Sequence, residues 1–220
     1  MALSGDETIL RELYDNILYR DVIARLGANF ERPAKELSAY FLSNPSGKIS
    51  SRRAGEMMGV ASLLSVKKVV NAFENSFLFF FLPKFDFSVR KQIQNPRKAY
   101  CIDNGFLSAL GFRFSDNEGK MLENLVAVEL RRRSKDTYYS AGAKECDFVV
   151  KEGGKIAEAI QVTWKLSSEN RERELSGLLE AIELFGLKKG LLLTNDHEEK
   201  ISFHGKKITA TPVWKWLLEG

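Results

Sequence analysis

The 220-residue chain is poor in the residues that staple or metallate a fold, with two cysteines and two histidines. Cys101 and Cys146 lie among apolar neighbours and show no Cys-x-x-Cys or Cys/His spacing. That excludes a disulfide framework and a zinc finger, and fits reduced thiols in a cytoplasmic protein. His197 and His204 are separated by a polar turn and a strand, which reads as two surface imidazoles rather than a ligand pair. No window approaches the roughly 18 apolar residues of a membrane span, and Met1 to Leu10 has neither the basic stretch nor the apolar run of a signal peptide. No membrane partner is expected. A phosphate loop is also missing. Asn44-Pro45-Ser46-Gly47-Lys48-Ile49 lacks the upstream glycine, and the Ser or Thr after the lysine, that cradle nucleotide phosphates and Mg²⁺. It reads as a turn, and the chain is expected to bind no ATP by itself.

What is present is the mixture of a globular protein, 44% hydrophobic and 28% charged, in a length that suits two small domains. The net charge of +4 is unevenly spread. Lys48 to Lys98 holds ten basic residues against Glu56, Glu74 and Asp86, so the rest of the chain is acidic on balance. A local basic excess is the electrostatic footprint of a polyanion partner.

Residues 7–26 carry Ile9, Leu10, Leu13, Ile17, Leu18, Val22, Ile23 and Leu26 at helical spacing, and Gly27 predicts the stop. Three further helices are predicted over 34–42, 51–58 and 62–75, with Ser50 and Ser62 as N-caps and Gly59-Val60 as the turn between the last two. In the third, Leu63, Val66, Val70 and Phe73 form the expected buried stripe. That leaves Ser62, Ser65, Lys67, Lys68 and Asn71 towards solvent, the chemistry a major-groove recognition helix requires. Phe77 to Leu82, the turn Pro83-Lys84 and the alternating Phe85, Phe87 and Val89 predict a hairpin wing ending in Arg90 and Lys91. The expected nucleic-acid contacts are Arg52, Arg53, Ser62, Ser65, Lys67, Lys68, Arg90 and Lys91.

Asn95-Pro96 marks a boundary, followed by a short strand over 97–102 and a short helix over 105–110. From Glu118 the pattern is helix, three strands, helix, strand, hairpin and helix, which predicts an α/β sandwich. Arg131-Arg132-Arg133 suits the negative end of the 118–133 helix. The helix 169–184 reads as a sheet cover, with Arg171, Glu172, Arg173 and Glu174 as a solvated face. Alternation along Glu145 to Val150, and along the returning strand Ile156 to Thr163, sets Asp147 on the same side as Gln161 and Thr163. A carboxylate beside a second acid and a lysine is how some nucleases hold Mg²⁺ and orient water.

These blocks carry a resemblance: Asn95-Pro96-Arg97-Lys98 running to Asp103, Glu123-Asn124-Leu125-Val126, Glu145 to Val150, Ala159 to Thr163, and Pro212-Val213-Trp214-Lys215-Trp216. Together, from about Glu7 to Leu218, the chain resembles the C-terminal region of a family of prokaryotic AAA-type ATPases. In that family an ATPase module precedes a winged helix and a domain related to the PD-(D/E)XK nuclease fold. The resemblance implies an α/β fold class with three parts: an N-terminal helix over 1–30, a winged helix over 31–96, and a restriction-endonuclease-like sandwich with a mixed central sheet over 97–220. It also implies partners, namely DNA and an ATPase module or a second copy of the chain.

Two departures shape the functional expectation. The ATPase module is missing from the chain, and the nuclease signature has Gln161 where the second acid belongs and Thr163 where the lysine belongs. Lys165 is the one candidate for a displaced lysine. The expectation is therefore a DNA-binding and interaction module with a degenerate site at Glu123, Asp147, Gln161 and Lys165. A Mg²⁺-dependent endonuclease, with Glu123, Glu145 and Asp147 as metal ligands, is the alternative. A winged-helix transcriptional regulator is a third reading.

Overall fold

The computed structural model describes residues 7–111 and 118–219. The chain divides into two compact units, Met1–Phe81 with Pro96–Asp116, and Leu82–Asn95 with Asn117–Gly220.

The first unit opens with α1 (Glu7–Asn16), a π-helical stretch (Ile17–Ile23) and α2 (Ala24–Leu26), one continuous run that ends at Gly27 with φ 92°. Glycine tolerates that left-handed backbone and a residue with a Cβ resists it. The helix forms where expected, but its buried face is Tyr14, Leu18, Val22 and Ile23, with Ile9 and Leu13 exposed. Both exposed residues lie in α1, before the i→i+5 winding, where Tyr14 takes the inward position; within the π stretch the expected Leu18, Val22 and Ile23 are buried. The Tyr14 hydroxyl lies 2.6 Å from that of Ser38, pairing two polar groups inside the core.

A 3₁₀ turn (Ala28–Phe30) leads into α3 (Glu31–Ser43), β1 (Lys48–Ile49), α4 (Ser51–Met57), α5 (Leu63–Asn75) and β2 (Phe79–Leu82). Ser50 and Ser62 cap α4 and α5, their hydroxyls accepting from the Arg53 N–H at 3.1 Å and the Ser65 N–H at 3.4 Å. The core of this unit is aromatic. Phe41 meets Phe73, Phe79 and Phe81 edge-on at 6.2, 5.3 and 5.2 Å, the arrangement ring quadrupoles favour.

The wing hairpin predicted over 77–89 is not what forms. After β2 the chain makes α6 (Val89–Gln94), and the strand that joins the sheet is β3 (Arg97–Cys101), in the order β1-β3-β2, before α7 (Asn104–Leu110). β3 runs antiparallel to β1, with Ile49 opposite Arg97. The apolar alternation at Phe87 and Val89 misled because both are exposed. Local hydrogen bonds begin α6 instead: Asp86 Oδ1 accepts from the Ser88 N–H at 2.9 Å, and Gln92 Nε2 donates to the Asp86 carbonyl at 2.6 Å. Arg90 and Lys91 accordingly sit on α6, and the strand expected to open the second domain belongs to the first sheet.

The second unit contains α8 (Glu118–Arg132), β4 (Asp136–Ala141), β5 (Glu145–Glu152), β6 (Lys155–Val162), α9 (Arg171–Leu184), β7 (Lys189–Thr194), β8 (Glu199–Phe203), β9 (Lys206–Pro212) and α10 (Val213–Leu218). Its six-stranded sheet, ordered β4-β5-β6-β7-β9-β8, is mixed: β6, β7 and β9 are parallel neighbours and the other pairs antiparallel. This is the α/β layering read from the sequence. One face packs on α9, where Val149, Ala159, Leu192 and Ala210 meet Leu175, Leu178 and Ile182; Leu184, expected in that stripe, is exposed.

Residues 82–95 belong to this second unit. Lys84 bridges in parallel to Tyr139 on the β4 edge. The Phe85 N–H donates to the Tyr139 carbonyl at 2.8 Å, and the Tyr139 N–H to the Pro83 carbonyl at 3.1 Å. Phe85 then packs edge-on against Tyr138 at 5.6 Å and Phe185 at 5.0 Å. The segment thus occupies an edge that would otherwise offer unpaired backbone groups.

At the end of α8, Arg132 and Arg133 clasp the Glu129 carboxylate at 2.6–2.7 Å and hold its pKa down at about 2. Arg133 also lies 4.3 Å over the Trp216 ring and donates to its carbonyl, fastening α10 to α8. Among the described residues no helix is long and apolar enough to cross a membrane.

Candidate functional site

The constellation around Asp147 depends on one irregularity in β5. Tyr138 opposes Val149 while Ser140 opposes Cys146, so β5 carries an extra residue between those pairs, a β-bulge. Cys146 and Val149 consequently both pack in the core under α9, and the strict alternation expected along 145–150 is broken. Asp147 sits inside the bulge.

Its partners form a chain. Asp147 Oδ2 accepts from the Val162 N–H at 3.0 Å, and the Asp147 N–H donates to Gln161 Oε1 at 3.2 Å. Gln161 Nε2 donates to Glu174 Oε2 at 3.0 Å, and Glu174 Oε1 accepts from Arg173 Nη2 at 2.6 Å. Asp147, Gln161 and Glu174 are 7%, 8% and 8% exposed. Gln161 thus meets Asp147 through the Asp147 backbone N–H, and the Asp147 carboxylate meets the neighbouring Val162 N–H. The meeting with Glu174 was missed, because Arg171 to Glu174 looked like a solvated run. A signal existed: Glu174 stands four residues before Leu178 and seven before Ala181, on the buried stripe of α9.

Gly177 explains how α9 comes near enough. A Cβ there would fall inside the van der Waals radius of the Glu145 carbonyl oxygen, so the helix backbone lies directly on β5. The Glu180 carboxylate then accepts from the Ala143 and Lys144 N–H groups at 2.9 and 2.8 Å, fixing the β4–β5 turn to the same helix.

Thr163 is buried and its hydroxyl donates to the Lys165 carbonyl at 3.4 Å, while the Lys165 side chain is exposed. Glu123 is buried on α8 and Glu145 is half-buried. Among the described residues no three of His, Cys, Asp and Glu converge as a metal would need, so Glu123, Glu145 and Asp147 do not make the ligand set expected of them. The physical reason is that one Asp147 oxygen is engaged by a backbone N–H, and a neutral amide stands beside Glu174. Gln161 can lend an oxygen, but no charge, to offset a divalent cation.

Residues 118–216 match the family described as a domain of unknown function, DUF4143. The chain is 30% identical over 237 residues to an uncharacterized protein of Methanocaldococcus jannaschii, which covers 99% of this chain and 52% of that protein. It is 27% identical over 224 residues to an uncharacterized protein of Haemophilus influenzae, at 97% and 52%. The chain therefore spans about half the length of the curated relatives it matches. The DUF4143 match takes in Asp147, Gln161 and Glu174 and ends within α10; α5 lies outside it.

On α5, Lys67 and Lys68 are exposed and make no ion pair among the described residues, with Ser62 and Asn71 exposed beside them and Ser65 half-buried. Leu63, expected inside, is 57% exposed, and Val69 takes the buried position. Arg52 pairs with Glu56 at 3.0 Å and Arg53 with the same carboxylate at 3.8 Å, so part of their charge is already answered. Arg90 and Lys91 are exposed on α6.

Two further groups were not anticipated. Arg171 holds Glu199 at both oxygens, 2.9 and 3.0 Å, with His197 Nε2 at 3.0 Å, and the carboxyl falls to about 2. Burial pushes the Cys101 thiol up to about 12, which keeps it protonated and inert.

Proposed function

We propose that this chain is a DNA-binding and interaction module, with a winged helix in the first unit and a catalytically degenerate nuclease-like platform in the second. The exposed face of α5 carries the proposal: Lys67 and Lys68 stand there without an acidic partner among the described residues, free to displace counterions from phosphates. The element order α3-β1-α4-α5-β2-α6-β3, with α6 in the segment assigned to the other unit, a three-stranded sheet ordered β1-β3-β2, and the tight turn at Gly59 (φ 64°) between α4 and α5 support a helix-turn-helix reading in which α5 enters the major groove. In the second unit, Gln161 between Asp147 and Glu174 supports degeneracy, since Mg²⁺ catalysis requires anionic oxygens around the ion. The relatives, about twice as long, leave room for the AAA-type ATPase module that the resemblance implies.

The test uses the full chain with duplex, branched and single-stranded DNA in the presence of Mg²⁺ or Mn²⁺. The expected result is salt-dependent retention without cleavage. In Lys67→Ala and in Lys68→Ala, the slope of log K against log salt should become shallower by about 0.9 for each phosphate that the missing ammonium had neutralised. Absence of retention at low salt would overturn DNA binding. Cleavage that disappears in Asp147→Ala would overturn degeneracy.

A further inference from the structure

We propose that α5 reads A·T base pairs, with Leu64 against a thymine methyl and Asn71 on an adenine edge. This deepens the DNA-binding reading above and rests on it.

The starting point is an anomaly. The first turn of α5 exposes two leucines, Leu63 at 57% and Leu64 at 65%. Leu63 has a local explanation, since it lines the groove between α4 and α5 with Gly55, Val60 and Val66. Leu64 does not line that groove and has no such account. It lies three, four and seven residues before Lys67, Lys68 and Asn71, so helical geometry sets the four on one face. All four are exposed.

Duplex DNA is the occupant the charges select. The face carries two lysines and no acid. The three acids between Lys48 and Lys98 are engaged elsewhere: Glu56 with Arg52 and Arg53, Glu74 with Arg97 at 3.9 Å, and Asp86 with the Ser88 N–H. On the helix face itself a polyanion meets two ammonium groups and no carboxylate. A recognition helix touches base edges from the face that enters the groove, which in α5 begins at Ser62, Leu64 and Ser65 and runs on to Asn71. Its first turn holds no Arg, Asn or Gln, so Asn71 is the residue of that face able to make a bidentate contact. Of the groups in the major groove, the thymine C5-methyl is the one an exposed leucine can bury, and the adenine N6/N7 pair is the one an asparagine can grip with both amide atoms. Leu64 and Asn71 are seven residues apart, about 10 Å along the axis at ~1.5 Å per residue, which spans about three base pairs at ~3.4 Å each. One helix face would thus read a thymine and an adenine about three steps apart, with the lysines on the flanking phosphates.

Equilibrium binding of the full chain to an A·T-rich duplex, to the same duplex with uracil replacing thymine, and to a G·C-rich duplex tests this. Uracil removes the methyl and leaves the charge, pairing and length unchanged. The thymine duplex is expected to bind about 3- to 5-fold more tightly than the uracil duplex, the effect of burying one carbon group, and the difference should vanish in Leu64→Ala. Asn71→Ala should reduce the preference for A·T over G·C by about 5-fold or more. Lys67→Ala should weaken all three duplexes alike. Both Leu64 and Asn71 are exposed, so an unchanged thermal transition is the expected control for folding. Equal binding of thymine and uracil duplexes by the unaltered chain would overturn the inference and leave DNA binding standing. Failure to bind any duplex at low salt would remove the DNA-binding reading, and the inference with it.

Discussion

Placing an acid between Asp147 and Glu174, by Gln161→Glu, should destabilise the second unit at neutral pH. The new carboxylate would stand where Gln161 Nε2 now donates to Glu174 Oε2 at 3.0 Å, and would present a like charge to the Asp147 bulge as well. Two unit charges at that separation repel by about 5 kcal/mol at an effective dielectric constant near 20. Proton uptake limits the cost. With an unfolded pKa of ~4.3, a carboxyl forced neutral at pH 7 costs no more than about 3–4 kcal/mol, and about 1 kcal/mol at pH 5. The sign follows: the variant's folded state holds a proton that its unfolded state has released, so its stability falls as pH rises between about 4 and 7. Gln161→Leu is the control. It removes the Gln161 acceptor from the Asp147 N–H and the Gln161 donor from Glu174 Oε2, for about 2–4 kcal/mol, with no comparable slope in pH. Trp164, Trp214 and Trp216 all lie in the second unit, so urea unfolding followed by tryptophan fluorescence reports on it alone. A Gln161→Glu variant as stable as the parent at pH 7, or equally destabilised at pH 5 and 7, would refute the contact between Gln161 and Glu174.

Three further outcomes are expected. Gly177→Ala should cost about 3 kcal/mol or more in the same urea assay, because the methyl meets the Glu145 backbone carbonyl and no flexible side chain can step aside. Phe85→Ala should cost about 3 kcal/mol in the second unit's transition, since its ring is wedged against Tyr138 and Phe185; a change of less than about 0.5 kcal/mol would detach residues 82–95 from that core. The depressed Glu129 carboxyl contributes stability present above pH ~4.5 and lost as pH falls towards about 2. Acid titration of Glu129→Gln should therefore be flatter than that of the parent across that window, and parallel curves would refute the double arginine clasp.

What was legible in the sequence was local or followed a regular period. Ser50 and Ser62 announce helix starts through a hydroxyl and an N–H three residues on, and Gly153-Gly154, both at positive φ, turn β5 into β6. Counting back from that hairpin alone would set Asp147 opposite Ile160; the register shift between Val150 and Lys151 is what brings it to Gln161, and no local residue announces that shift. The second unit's sandwich order was readable from its regular periods. Illegible features depended on distant partners or broken periods. Nothing near Phe79 to Leu82 tells that its sheet is completed by Arg97 to Cys101 rather than by Phe85 to Val89. The bulge at Asp147 inserts a residue, after which a stripe counted along β5 from its N-terminal side points elsewhere. Glu174 was hidden by its company of charges.

The affiliation of residues 82–95 governs how the molecule can be taken apart. Its halves are interleaved along the chain rather than strung in tandem, so no single cut yields two intact pieces. A fragment trimmed to 118–216 would lack Phe85, leave Tyr138 and Phe185 bare, and open the β4 margin to a neighbouring copy. Any recombination that exchanged one half for a foreign one would have to carry this fourteen-residue insert with it, a reason to expect both to travel together.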